Sequence, residues 1–131
     1  MLAQNYMIQP SLGYIGQSIN DLSCTCLKPL YRLYNENDRD TLLTTEIAEK
    51  DRAVTLLGYK FERIIGYCAS EPGCGAFKPL YRLFNFFVKD HFYTSDQETM
   101  RFHRNNPGSY GFERIECFIW QFNVSSKACE E

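Results

Sequence analysis

The hexapeptide KPLYRL occurs twice in this chain, at Lys28–Leu33 and again at Lys78–Leu83. The two copies start 50 residues apart, and FERI at positions 61–64 returns at positions 112–115. Between these motifs Asn35, Asp40 and Thr44 recur 50 residues later as Asn85, Asp90 and Thr94. Self-similarity at a fixed period predicts a fold built from tandem repeats.

Each repeat has the pattern of a ββαβ unit. Lys78–Asn85 alternates in the manner of a strand that begins with proline, and Asp90–Thr94 is short enough for the second strand of a hairpin. Ser95-Asp-Gln-Glu98 predicts a capping box and a helix that runs to about Asn105, before a closing strand at Gly111–Phe122. The first repeat has a helix at Ile47–Leu57, entered at Thr45 or Glu46, and a closing strand at Tyr59–Cys68.

The repeats predict one domain over residues 1–131. LGY at positions 12–14 echoes LGY at 57–59, so we divide the chain into a half-unit 12–27 and units 28–76 and 77–131. A single unit cannot bury its apolar face alone, so the units are expected to pack on one another. We predict a mainly β fold with short helices (α+β), in which about 2.5 repeats close into a compact, pseudo-threefold, trefoil-like domain. A homodimer that completes the missing half-unit is the alternative.

Charge and hydropathy exclude two classes of partner. The chain has 14 Lys and Arg residues against 16 Asp and Glu, without a basic block, which argues against nucleic acid and against an anionic membrane surface. No apolar run reaches the ~18 residues of a membrane span, so we predict no membrane insertion. The first ten residues lack the basic flank and apolar stretch of a signal peptide.

The even number of cysteines predicts three disulfides and a secreted protein. Their spacing lacks the paired ligands of a zinc site, so we predict no metal. The shortest loops would join Cys68 to Cys74 and Cys117 to Cys129, but they leave a strained C-x-C pair, and a swapped pairing is equally acceptable. A glycosylation sequon at Asn123 agrees with secretion. The six cysteines are Cys24, Cys26, Cys68, Cys74, Cys117 and Cys129.

Polar residues beside aromatic rings in the second repeat predict a sugar site, because sugars need both hydrogen bonds and flat apolar surface. The competing interpretation is a buried polar network that ties the hairpin to the next strand. For Arg32 and Arg82 it is a structural ion pair with Asp40 or Asp90, or with Glu62 or Glu113. The predicted ligand-binding residues are Arg82, Asn85, Asp90, His91 and Tyr93. The first repeat has no counterpart of His91 or Tyr93 and gives a degenerate second site at Arg32, Asn35 and Asp40.

The motifs KPLYRLFN, DHFYTSDQE and GFERIECF resemble a family of repeat domains with the pattern PLYRLYN…DHFYTT…GYxxEGIxGYV. This lectin-like family occurs in secreted proteins of fungi, bacteria and animals. The resemblance covers the chain from about Leu12 to Phe122. It implies a non-catalytic recognition module whose partner is a glycan or glycoprotein.

Enzyme motifs are missing from the sequence. It has no G-x-S-x-G elbow, no H-E-x-x-H and no glycine-rich phosphate loop, so we predict neither catalysis nor a cofactor. The main alternative to the lectin is an extracellular structural or protein-interaction protein that uses the repeats as a scaffold. A small hydrolase would require two carboxylates within roughly 5–10 Å of each other in a cleft.

Overall fold

A computed structural model describes residues 5–9, 13–16, 27–73, 75–105 and 110–120. Most of the predicted half-unit 12–27 lies outside these ranges, as do Cys24, Cys26, Cys74, Cys129 and the sequon at Asn123. The strands are β1 (Asn5–Gln9), β2 (Gly13–Gly16), β3 (Leu27–Asn35), β4 (Asp40–Thr44), β5 (Lys60–Ala69), β6 (Lys78–Asn85), β7 (Asp90–Thr94) and β8 (Gly111–Ile119). The helices are α1 (Ile47–Leu56) and α2 (Gln97–Arg104).

The strands form one curled, antiparallel sheet with the two short helices packed on it, which confirms the mainly β fold. Six strands follow one another in the order β1-β2-β5-β8-β6-β7, while β3 lies between β4 and β5. None of the helices in the described ranges is long and apolar enough to cross a membrane.

Two segments of the sheet share one backbone plan: unit 1 (β3, β4, α1 and β5) and unit 2 (β6, β7, α2 and β8). Tyr31 faces Thr44 in the first hairpin, as Tyr81 faces Thr94 in the second. The pairing of β3 with β5 shifts register after Leu30 and again after Arg32. The pairing of β6 with β8 shifts at the matching residues, after Leu80 and after Arg82. Irregularities of this kind increase strand twist, and therefore they help the sheet to curl.

The centre of the molecule is an apolar cluster to which both units contribute. The closing strands meet at their ends, where Ala69 faces Phe118. Beside this contact a disulfide joins Cys68 to Cys117, with 6.0 Å between their Cα atoms. The cluster contains Ile15, Leu30, Leu43, Ile65, Cys68, Leu80, Cys117 and Ile119.

The disulfide shows that the two shortest predicted loops, Cys68–Cys74 and Cys117–Cys129, are wrong. The bonded cysteines are 49 residues apart in sequence, and the pairing of β5 with β8 brings them within reach. In the chain-entropy picture a loop of this length stabilises the fold by about 4 kcal/mol, more than a short loop would.

The helices differ at their N-termini. Asp96 caps α2, because its carboxylate accepts hydrogen bonds from the backbone N–H of Thr99 at 3.0 Å and from the Thr99 hydroxyl at 2.6 Å. The predicted capping box on Ser95 is therefore wrong by one residue. Glu46 is the N-cap residue of α1, and it is one of the two residues at which the sequence predicted the helix to begin. Its side chain makes no capping hydrogen bond.

Candidate functional site

The predicted ligand-binding residues fall into two groups. Arg82, His91 and Tyr93 lie where unit 2 packs on unit 1, together with Asp40 of the predicted second site. Asn85 and Asp90 lie at the outer end of the hairpin formed by β6 and β7. The structure therefore brings part of each predicted site into one interface and separates the remainder from it.

Arg82 is buried and forms ion pairs with three carboxylates. Its Nε donates to Glu113 at 2.8 Å, and its two terminal nitrogens donate to Glu49 at 2.8 and 2.7 Å. Glu116 accepts a further bond from Nη1 at 3.1 Å. Glu49 belongs to α1 of unit 1, so a single guanidinium bridges the two units in the fork geometry that arginine favours.

A second arginine completes this cluster. Arg114 donates to Glu116 and to Glu49, each at 2.8 Å, and Glu116 also accepts from the backbone N–H of Thr45 at 2.8 Å. Burial alone would raise the pKa of Glu49, but the hydrogen bonds from Arg82 and Thr44 lower it to about 2. Removing one partner from such a buried ionic cluster is strongly destabilising, because it leaves a buried charge without compensation.

His91 makes the second contact between the units. Its Nδ1 lies 2.6 Å from Asp40 Oδ2, and its backbone N–H donates to Asp40 Oδ1 at 2.5 Å. Nε2 lies 3.4 Å from Glu113. The fully buried carboxylate of Asp40 also accepts the hydroxyl of Tyr59.

These contacts shift the pKa values of both partners toward the charged pair. Burial alone would lower the pKa of His91, but hydrogen bonds to Asp40 and Glu113 raise it above 6.5. Burial alone would raise the pKa of Asp40, but hydrogen bonds from His91 and Tyr59 hold it below 3.8. The favoured state is an imidazolium that lies between two carboxylates.

Tyr93 closes an edge of the sheet. Within the described part of the chain β4 pairs with β3 alone, and Tyr93 reaches across from unit 2, where its hydroxyl oxygen accepts the N–H of Leu43 at 2.7 Å. An unpaired N–H at a covered edge is costly, so this bond stabilises the contact between the units. Arg82, His91 and Tyr93 thus direct their polar atoms into the protein, and the network they form reaches unit 1 as well as the next strand.

Asn35 and Asn85 shape the two hairpin turns. Asn35 Oδ1 accepts the N–H of Asp38 at 3.1 Å, and Asn85 Oδ1 accepts the N–H of Phe87 at 2.9 Å. Both turns end on a residue with positive φ, 53° at Arg39 and 55° at Lys89. The two turns therefore share a backbone conformation, whatever side chains they carry.

A tyrosine–aspartate pair is repeated in the two units with different surroundings. Tyr110 donates its hydroxyl to Asp90 at 2.5 Å, as Tyr59 does to Asp40, and this bond raises the pKa of Tyr110 to about 12. No histidine in the described ranges covers Asp90 as His91 covers Asp40. Asp90 consequently stays partly open to solvent.

The turn beside Asp90 is apolar and exposed. Phe86, Phe87 and Val88 are 77%, 78% and 61% exposed. The matching turn of unit 1 consists of Glu36, Asn37 and Asp38, so the backbone conformation does not require apolar residues. This contrast is visible in the sequence, but it falls between the repeated motifs on which the site prediction rested. We call Asn85, Phe86, Phe87, Asp90 and Tyr110 the tip site.

Most of the chain matches one protein-family model. A family model described as "Domain of unknown function (DUF5648)" matches residues 4–120. The chain belongs to the DUF5648 family. The DUF5648 match neither supports nor opposes the resemblance to the PLYRLYN repeat domains, which stays a prediction. Searches of curated proteins and of solved structures found no match.

The described residues of this DUF5648 chain hold no group of three His, Cys, Asp or Glu side chains arranged to bind a metal ion. At the tip site, Asp90 and Tyr110 can form hydrogen bonds, and the phenylalanine rings can make apolar contacts.

Proposed function

We propose that this chain is a secreted, non-catalytic carbohydrate-binding module whose tip site binds the sugar. The support is the contrast between the two aspartates. Asp40 receives two N–H donors from His91 at 2.5 and 2.6 Å, together with the hydroxyl of Tyr59. Asp90 accepts the hydroxyl of Tyr110 and is partly exposed to solvent, so we propose that its carboxylate also accepts hydrogen bonds from a ligand. Two neighbouring hydroxyls of a pyranose are donors that match such a carboxylate.

The exposed rings supply the second requirement of a sugar site. The C–H face of a sugar needs flat apolar surface beside its hydrogen-bonding partners. Phe86 and Phe87 offer this surface next to Asp90, and a bound ring would cover part of it. Exposed apolar residues that the fold does not need often mark a binding surface.

The same proposal includes a pseudo-threefold, trefoil-like body in an oxidising compartment. Gly16 of β2 pairs with Tyr67 of β5, and Gly13 lies so close to β8 that an added Cβ would be 2.8 Å from the Trp120 carbonyl oxygen. Three strand ends therefore meet around the central cluster. The buried disulfide supports secretion, because such bonds persist outside the reducing cytosol.

A glycan array probed with the oxidised chain tests this function. The Asp90→Asn variant and the Phe86→Ser, Phe87→Ser double variant should weaken sugar binding at least about tenfold, because each removes one half of the site. The control is Glu36→Gln with Asn37→Ala in the matching turn of unit 1, which should leave binding unchanged. Silence across the array, or binding that survives both tip variants, would contradict the proposal.

The second candidate is an extracellular protein-interaction module in which the repeats are a scaffold. The exposure of Val88 favours it, since a branched aliphatic side chain offers no flat face to a sugar. On this alternative the tip enters an apolar pocket of another protein. A silent array, together with a native fold, would favour the interaction module over the lectin.

A further inference from the structure

Each unit places two arginines directly opposite each other on adjacent strands. In unit 2, Arg82 of β6 faces Arg114 of β8. In unit 1, Arg32 of β3 faces Arg63 of β5 at the matching position. Residues that face each other in an antiparallel sheet lie on the same side of it, so each pair presents two guanidinium groups to one surface. Like charges in this arrangement are destabilising, and a pair of this kind therefore favours anions nearby.

In unit 2 the arginine pair binds a carboxylate of the other unit. Arg82 donates to both oxygens of Glu49, at 2.8 and 2.7 Å, and Arg114 donates to Oε1 of the same side chain at 2.8 Å. Glu116 of β8 accepts a bond from each arginine, at 3.1 and 2.8 Å. The backbone of the unit thus positions two arginines to bind a carboxylate that comes from outside the unit.

The pair in unit 1 lacks the counterparts of these two carboxylates. Ile65 lies in the first register shift between β3 and β5, where the matching shift in unit 2 contains Glu116. Among the described residues, Glu62 is the one carboxylate that pairs with Arg32, through Nε at 2.8 Å, and Arg63 forms no ion pair. Within this part of the chain two guanidinium groups therefore have one carboxylate, whereas the pair in unit 2 has three.

The surface around the unit 1 pair is exposed and has a third cation. The side chain of Arg32 is 41% exposed, and both Arg63 and Lys60 are exposed. Lys60 faces Tyr34, which is half-buried and lies on the same side of β3 as Arg32. We call Arg32, Tyr34, Lys60 and Arg63 the arginine-pair surface. It combines an excess of positive charge with one aromatic ring.

We infer that the arginine-pair surface binds the carboxylate of a uronic acid in an acidic glycan. The two arginines bind this carboxylate in the geometry that unit 2 uses for Glu49. The pyranose ring lies against Tyr34, since the C–H face of a sugar needs flat apolar surface beside its polar contacts. The surface shares no residue with the tip site, and it rests on the proposed function only in taking a sugar as the source of the carboxylate.

The composition of this surface favours a glycan over an acidic protein. The centre of a protein interface is apolar and contains fully desolvated anchor residues. In the described ranges, the exposed residues beside the arginine pair are charged, and Leu30 and Leu43 on the same side of the sheet are buried in the central cluster. One half-buried tyrosine offers apolar surface for a single sugar ring, but too little for the centre of a protein interface.

Isothermal titration calorimetry of the oxidised chain with a short galacturonate oligomer, from micromolar to millimolar concentration, tests this site. The oligomer should bind, and its methyl ester, which keeps the sugar rings but loses the charges, should bind at least about tenfold more weakly. Arg32→Gln with Arg63→Gln should weaken binding of the charged oligomer by a similar factor. The matched control, Arg101→Gln with Arg104→Gln, removes two exposed cations of α2 and should leave binding unchanged.

The inference is overturned if the oligomer does not bind, if the methyl ester binds equally well, or if the arginine variant retains binding. An oligoglutamate peptide that binds at least as tightly as the sugar, and that the same variant releases, would assign the surface to acidic proteins instead. Arg63→Gln alone repeats the test if the double variant fails to fold. Asp90→Asn should leave binding of the charged oligomer unchanged, so a failure of the tip site is distinguishable from a failure of this one.

Discussion

Units 1 and 2 use the same aspartate–tyrosine pair for different purposes. Asp40 is buried, because His91 of the neighbouring unit covers it, whereas Asp90, which accepts the hydroxyl of Tyr110, is partly exposed. The aspartate of unit 1 therefore binds unit 2, whereas the aspartate of unit 2 is partly exposed to solvent. The same pair of side chains can therefore be buried in one unit and partly exposed in the other.

The two arginines of the repeated hexapeptide differ in the same way. Arg32 pairs with Glu62 at the surface, and its side chain is 41% exposed. Arg82 makes the matching bond to Glu113, but it is 5% exposed and also binds Glu49 and Glu116. One face of unit 2 packs against unit 1, so identical neighbours in sequence do not give identical surroundings.

The largest expected effect separates these two arginines. Arg82→Met should lower the free energy of unfolding by about 3–5 kcal/mol, because it removes the buried cation that Glu49, Glu113 and Glu116 share and leaves their charge incompletely compensated. Arg32→Met, the matched control, should cost at most about 1 kcal/mol, since it removes an exposed pair. Urea unfolding of the two oxidised variants measures both values. Equal losses would show that the cluster around Arg82 does not hold the units together.

A smaller effect should reveal the charge of His91. The stabilising effect of His91 is fully present below its unfolded pKa of about 6.5 and is lost as the pH rises through the higher folded pKa. That of Asp40 is present above about 3.8 and is lost as the pH falls through its lower folded pKa. His91→Gln should therefore cost about 2 kcal/mol between these limits and progressively less at alkaline pH.

Urea titrations of the native chain and of His91→Gln at a series of pH values measure this difference. A difference that stays constant from acidic to alkaline pH would show that the imidazole is neutral in the folded protein. His91→Ala is not a clean test of sugar binding, because the side chain contacts Asp40 and Glu113 between the units.

The smallest expected change in the free energy of unfolding comes from replacing Tyr59 or Tyr110. Tyr59→Phe removes a donor from a fully buried carboxylate and should cost about 1–2 kcal/mol. Tyr110→Phe removes the same bond where water can replace it, and should cost less than about 1 kcal/mol. Thermal or urea unfolding gives both values. A larger loss for Tyr110→Phe would mean that Asp90 is closed to solvent and would remove the basis of the tip site.

Sequence periodicity predicted the local structure well. The bounds of β6 and β7 are those that the alternation of Lys78–Asn85 and Asp90–Thr94 indicated. Strand alternation depends on neighbours along the chain, so it can be read directly from them. Glu62 and Glu113 were also named as arginine partners, and each lies on the strand that pairs with its arginine's strand.

Contacts between the units were not predicted. Glu49 is 33 residues from Arg82, and nothing in its sequence environment distinguishes it from the other acidic residues of α1. The bond from His91 to Asp40 joins residues that had been assigned to separate sites. The Cys68–Cys117 bond likewise depends on how β5 meets β8.

The sequence by itself determined the two units, their strands and the residues that turn their hairpins, because these depend on spacing within about 50 residues. The tertiary structure alone decided which copy of each motif is buried. Burial depends on which face of unit 2 meets unit 1, and that choice comes from the packing of apolar surfaces that lie far apart in the chain. Asp40 is consequently buried in the contact between the units, and its counterpart Asp90 is partly exposed to solvent.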